Sequence, residues 1–149
     1  MKWIADTNVI SETVRPSPEP RVMAWLEATP IERLHTTSVN LAEIRFGVLS
    51  QGEPARANAL ENWLERTVRP LFEGRILQAD EAALLTWRTL SKELQRRREP
   101  TPSADLLIAA IALIQHCAVA SRDARPFAAA GVPTLNPWTG ERFNLEGRQ

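Results

Sequence analysis

The stretch Lys2-Trp3-Ile4-Ala5-Asp6-Thr7-Asn8-Val9-Ile10-Ser11 decides the fold. Lys2 to Ala5 reads as a short strand whose apolar run stops at Asp6. Thr7-Asn8 offers a helix cap, and Val9 to Glu12 a short helix. A carboxylate at such a junction is costly if it loses water without a partner, by several kcal/mol. Three more acids sit in comparable places. Glu43 lies inside Leu41-Ala42-Glu43-Ile44, Asp105 opens Leu106 to Ile111, and Asp123 follows Val119-Ala120-Ser121. Carboxylates that face one another repel and hold protons. A hard divalent ion with oxygen ligands relieves that strain. The four acids therefore point to a shared cation and to metal-dependent phosphate chemistry.

Outward from that stretch, apolar strands alternate with helices. Leu34 to Thr37 and Ile76 to Gln78 read as strands, as do Ala118 to Ser121 and Val132 to Leu135. Helices are expected over Arg21 to Ala28, Val39 to Leu49 with Ser38 as cap, Arg56 to Val68, and Asp80 to Arg97. The core stripe of the last is read as Leu84, Trp87, Leu90 and Leu94. Pro100-Thr101-Pro102-Ser103 breaks that helix and starts another, running to about Gln115, apolar nearly all round and so central. A short helix covers Ala124 to Ala130, and Asn136 to Gly140 begins a polar tail. The alternation predicts an α/β fold, a three-layer α/β/α sandwich on a mostly parallel sheet, with residues 1–149 as a single domain. In such sheets ligands bind beyond the carboxyl ends of strands. Asp6 and Asp123 fall just after strands. Glu43 and Asp105 are placed in first turns of helices, so all four converge at one sheet edge.

Composition sets limits. Lys and Arg total 18 and Asp and Glu total 18, so no global charge attracts nucleic acid, and any such contact is a local patch. The single cysteine, Cys117, excludes an internal disulfide and fits a buried thiol in a reducing cytosol. The longest apolar run, Leu106 to Ile114, is far short of a membrane span, and no signal-peptide core precedes Asp6. A cytoplasmic protein without membrane contact is expected. The His residues are read as doing no chemistry, and the Trp residues as core rather than stacking platforms.

Four segments carry a resemblance. They are Asp6-Thr7-Asn8-Val9-Ile10-Ser11, Ser38 to Gly47, Ala104-Asp105-Leu106-Leu107-Ile108-Ala109-Ala110, and Ser121-Arg122-Asp123-Ala124-Arg125-Pro126-Phe127. Gly131 to Trp138 is similar to a closing strand. In this order they resemble the PIN-domain family, in particular its VapC-like and FitB-like toxins of type II toxin–antitoxin pairs. The resemblance implies a PIN-like α/β fold and an endoribonuclease dependent on Mg²⁺ or Mn²⁺. It implies Asp6, Glu43, Asp105 and Asp123 as metal-binding catalytic acids, with Thr7, Asn8 and Ser121 in support. It also implies an RNA substrate, a cognate antitoxin, and a homodimer or antitoxin-bound hetero-oligomer. Amphipathic helices bearing Trp25 and Trp63 are read as the surface for a partner helix.

Two departures stand out. The family often has a Gly-Arg pair before its third acid, whereas this chain reads Arg97-Arg98-Glu99-Pro100-Thr101-Pro102. The fourth acidic position is Asp or Asn across the family, which marks Asp123 as the weaker ligand. The other readings are a catalytically inactive RNA-binding PIN domain and a haloacid-dehalogenase-like phosphatase. The first would lose acids, and this chain keeps four. The second needs an Asp two positions after the first, where this chain has Asn8. A receiver-type module would want adjacent acids after the first strand and a late Lys, and neither is present.

Overall fold

The structure is a computed structural model that describes residues 1–99 and 101–145. The expected break at Pro100 and the end of the expected domain, residues 146–149, lie outside the described residues. The sheet has six strands: β1 (Lys2–Ala5), β2 (Leu34–Thr37), β3 (Ile76–Leu77), β4 (Cys117–Ala120), β5 (Thr134–Leu135) and β6 (Arg142–Phe143). Their order across the sheet is β3-β2-β1-β4-β5-β6. All pairings are parallel except β5 with β6. The strand β6 was not expected, because two residues in a polar stretch carry no alternation to read.

Side chains alternate across a strand, and here that alternation divides two cores. Ile4 and Val119 point to one face, where they meet Leu106, Ile108, Ile111 and Phe127. Ala5 and Ala120 point to the other, among Val9, Val22, Leu41, Leu64 and Phe72. Helices therefore cover both faces, giving the three layers. Phe127 and Phe72, 0% and 2% exposed, anchor the two cores. Truncating either ring to alanine would cost about 3–5 kcal/mol.

The helices follow the sequence pattern with local exceptions. They are α1 (Thr7–Glu12), α2 (Pro20–Ala28), α3 (Ser38–Leu49), α4 (Pro54–Trp63), α5 (Arg69–Leu71), α6 (Glu81–Arg96), α7 (Ser103–Gln115) and α8 (Arg125–Ala129). Proline starts α2 and α4, where its missing N–H costs nothing. The expected helix Arg56 to Val68 changes at Leu64–Val68 into a π-helical turn, with Arg69 N–H reaching back to Leu64. Pro70 explains it, since a proline cannot donate to the preceding turn and crowds it. Thr37, not Ser38, caps α3 by accepting from Asn40 N–H. Ser38 Oγ instead accepts from Ala79 N–H. In α6 the inward stripe begins at Ala83, 1% exposed, while Leu84 is 42% exposed. Trp25 is half-buried, edge-on to Trp3 at 5.3 Å, and Trp63 is half-buried against the core. The large apolar side chains left most open on α3 are Phe46 and Leu49. Among the described residues no helix is long and apolar enough to cross a membrane.

Candidate functional site

Parallel β1 and β4 run side by side in the register Ala5↔Ala120. Their carboxyl ends meet where the chain order switches, with β2 on one flank of β1 and β4 on the other. That crevice is where open α/β sheets bind ligands. Asp6 is the first residue past β1, and its N–H donates to Ala120 O at 3.0 Å. It caps α1, which explains the abrupt turn from strand to helix. Asp6 is 5% exposed. Oδ1 accepts from Thr7 N–H and from Asn40 Nδ2, both at 2.9 Å. Oδ2 accepts from the Ser121 hydroxyl at 2.6 Å. All three donors are neutral.

Asn40 is the residue that sequence reasoning missed. It is fully buried in α3, one turn before Glu43. The Thr37 hydroxyl donates to its Oδ1 at 2.6 Å, so its Nδ2 must face the site. That amide donates to Asp6 and, at 3.1 Å, to Thr7 Oγ1. Thr7 Oγ1 in turn donates to Glu43 Oε1 at 3.2 Å. The available signal was spacing: Asn40 and Glu43 share a helix face. Glu43 itself stands in the second turn of α3, not the first, because the helix begins at Ser38. Asp105 is in the first turn of α7 as expected, where the helix dipole favours its charge.

The two other supporting residues fasten the end of β4. Asn8 Nδ2 donates to Ser121 Oγ at 3.2 Å, and Asn8 Oδ1 accepts from Arg122 N–H at 3.1 Å. Ser121 Oγ also accepts from Asp123 N–H at 3.1 Å. Asp123 is exposed at the head of this turn.

Electrostatics tie the four acids into one neighbourhood. Burial pushes Asp105 up to about 6, with the charges of Asp6, Glu43 and Asp123 adding to the shift. Burial, then Asp6, raises Glu43, against the Thr7 hydrogen bond. Burial raises Asp6 despite the bonds from Ser121, Thr7 and Asn40, and Asp123 raises it further. Among the described residues none of the ion pairs includes any of the four. Nor is any group of three Asp, Glu, His or Cys side chains drawn in tightly enough to form a ready-made cation cage. Repelling carboxylates without a counter-charge stand apart. The donor set is all oxygen, which suits Mg²⁺ or Mn²⁺ rather than Zn²⁺.

Thr7, Asn8 and Glu43 open onto a cleft of about 660 Å³, whose lining includes Arg15, Arg122 and Trp138. Glu12, buried at the end of α1, also lines it. The sequence held a clue to Glu12 as well, since an acid in the last turn opposes the helix dipole. Cys117 is buried in β4, and burial raises its thiol, so it is an inert core group.

A family profile described as PIN domain matches residues 4–132. The chain belongs to the PIN-domain family. Within the family it is 38% identical to "Toxin FitB" of Neisseria gonorrhoeae over 135 residues, covering 91% of this chain and 97% of that one. It is 37% identical to "VapC ribonuclease Y4jK" of Sinorhizobium fredii, covering 91% and 96%. The crystal structure of FitAcB from N. gonorrhoeae matches this PIN domain with a TM-score of 0.86 at 38% identity, over 91% of this chain and 98% of that chain. The mostly parallel sheet expected from the alternation of strands and helices is thus the PIN fold.

Proposed function

We propose that this PIN domain, residues 1–149, is a Mg²⁺- or Mn²⁺-dependent endoribonuclease and the toxin of a toxin–antitoxin pair. One observation carries the reading: burial and neighbouring carboxylates, the charge of Asp123 among them, raise Asp6, Glu43 and Asp105, and among the described residues none of the four acids is in an ion pair. The names of the relatives, a toxin and a VapC ribonuclease, agree with it. Asp6, Glu43 and Asp105 would hold the ion, and Asp123 would complete its surroundings from the exposed side. When bound, the ion lowers the pKa of a water and offsets charge on the phosphate. The chain's own work is orientation. Asn40, Thr7 N–H and Ser121 fix the plane of the Asp6 carboxylate, and the Thr7 hydroxyl turns Glu43 toward it. Asn8 holds Ser121 in place.

The protein is proposed to act in the cytoplasm as a homodimer or in a hetero-oligomer with its antitoxin. FitAB and VapBC complexes among structures of the same fold support a protein partner. The test is cleavage of a labelled single-stranded RNA across a Mn²⁺ and Mg²⁺ titration, repeated in chelator. Full cleavage in chelator overturns the metal. Expression alone should arrest growth, and co-expression of the neighbouring upstream gene should restore it. Normal growth with intact, active protein overturns the toxin reading.

A further inference from the structure

We propose, resting on the ribonuclease reading above, that Arg15, set by Glu12, and Arg122, stacked on Trp138, form a phosphate grip that seats the RNA strand beside the four acids. Glu12 is 3% exposed. Its Oε2 accepts from Glu19 N–H at 2.9 Å, which fastens the far end of the loop after α1. Its Oε1 accepts from Arg15 Nη1 at 3.2 Å. Buried carboxylates persist only where they are paired, and this one is. The Glu19 N–H and the charges of Arg15 and Arg122 hold it below the usual carboxylate range, so it is ionised at neutral pH.

Arg122 is fixed from several sides. Its guanidinium lies over the Trp138 ring, 5.3 Å from the centroid. Its N–H donates to Asn8 Oδ1, and its carbonyl accepts from Asn136 Nδ2 at 3.3 Å. Trp138 is held in turn by its N–H to Asn136 Oδ1 at 2.9 Å. Arg122 therefore stands on the same rigid turn that carries Ser121 and Asp123. Glu12 pairs with Arg15, and among the described residues Arg122 is in no ion pair, so its positive charge is in surplus. Arg15, Arg122, Trp138 and Glu43 all line the same cleft. Guanidinium forks match phosphate oxygens, and a cation stacked on an aromatic face loses little freedom on binding. A polyanionic strand can place one phosphate at the acids with their cation and a neighbouring phosphate at the arginines. Single-strand sites commonly combine these elements, basic groups for the backbone and an aromatic face.

The test separates seating from chemistry. Binding of a fluorescein-labelled single-stranded RNA is measured by anisotropy in chelator, over a range of salt, and cleavage is measured with Mn²⁺. Arg15→Ala and Arg122→Ala should each weaken binding about fivefold to tenfold and lower the salt slope by about 0.7, the value for one lost phosphate contact. Glu12→Gln can still accept from Glu19 N–H but no longer holds Arg15 by charge. It should bind RNA at least as tightly as the parent while kcat falls about tenfold, a split that mere destabilisation does not produce. Arg88→Ala, on the exposed side of α6, should behave as the parent. Parent-like affinity and salt slope in folded Arg15→Ala and Arg122→Ala overturn the grip. If those variants keep RNA binding but release the protein encoded by the upstream gene, the cleft is a protein groove and the grip is wrong. A fall in Glu12→Gln cleavage matched by its loss of folded protein overturns the positioning role. If the parent itself neither binds nor cleaves RNA, the ribonuclease reading fails first and the grip falls with it.

Discussion

Helix α1 has a buried carboxylate at each end, and the two ends are opposites. Asp6 precedes its first turn and Glu12 closes its last, 5% and 3% exposed. Glu12 is answered by Arg15 and by the Glu19 N–H, and its pKa is lowered. Asp6 receives only neutral donors, faces other acids, and its pKa is raised. Helix position makes the contrast sharper. The N-terminal end of a helix favours negative charge and the C-terminal end disfavours it. Local chemistry thus reverses the preference at both ends. Burial does not tell a structural carboxylate from a functional one; what distinguishes them is whether the charge is already compensated. The uncompensated end is where a cation has something to gain.

Removing charge at the uncompensated end tests this most strongly. Asp6→Asn, Glu43→Gln and Asp105→Asn should each lower cleavage about a thousandfold or more, since water cannot replace an anionic ligand that fixes the ion. Circular dichroism should show each folded. Glu12→Gln, at the compensated end, should keep a measurable fraction of activity. Equal losses at both ends would erase the distinction between them.

A smaller effect is expected one layer back. Asn40→Ala removes the amide that fixes Asp6 Oδ1 and leaves the Thr37 hydroxyl without its acceptor. An unpaired buried polar group costs about 1–3 kcal/mol. Cleavage should fall about tenfold, because Asp6 keeps its charge and only its orientation loosens. The check is kcat against Mn²⁺ affinity measured without RNA. Unchanged kcat and unchanged Mn²⁺ affinity would show that Asn40 only fills space.

Smaller again is a pH-dependent stability term. In the folded state Asp105 titrates at about 6, against about 3.9 in an unfolded chain. Between roughly pH 4 and 6 the folded state therefore binds more protons, and stability falls as pH rises through that window. Asp105→Asn removes this titration. In chelator its melting temperature should match the parent near pH 4 and exceed it above pH 6. Mn²⁺ should raise the parent and leave the variant nearly unmoved. A variant that melts below the parent at pH 7 in chelator would mean that Asp105 is already compensated.

What the sequence made legible follows from what local pattern encodes. The handover at Asp6, the stripe Leu41-Ile44-Val48 and the apolar run after Asp105 are set by neighbours three or four residues away. They are all where the pattern puts them. Strand β6 was invisible, because it pairs with β5 through backbone groups that any residue carries. Leu84 was misread because Ala83, smaller but inward, carries less hydrophobic weight. The roles of Asn40 and Glu12 depend on partners from other segments or on a loop closing back, and no periodicity announces those. The four acids could be proposed as a set. Which of them is buried and which is free could not, because that depends on how β4 turns at Ser121.

Asp123 gives the finest test of the comparison, because it is exposed on a turn, whereas Glu43, also exposed, stands on a helix and accepts from the Thr7 hydroxyl. Asp6 is locked by three donors, and Asp105 is pushed up by its surroundings. Asp123 is anchored through its backbone N–H to Ser121 Oγ, so its side chain is not needed to hold the turn. Asp123→Asn keeps an oxygen that can face a cation and removes a single charge. That charge acts on both Asp6 and Asp105, so its loss also relieves a small part of their repulsion. Two opposing effects follow: a weaker pull on the metal and less proton competition at its neighbours. Near neutral pH the first should win, since Asp105 is already mostly ionised there. Cleavage should persist within about tenfold of the parent, with a higher Mn²⁺ requirement. Near pH 5.5 the second effect grows, and the gap between variant and parent should narrow. The measurement is the Mn²⁺ concentration for half-maximal cleavage at pH 7.5 and at pH 5.5. An inactive Asp123→Asn beside an active Asp105→Asn would reverse the ranking, placing the essential carboxylate on the exposed turn rather than in the crevice between β1 and β4.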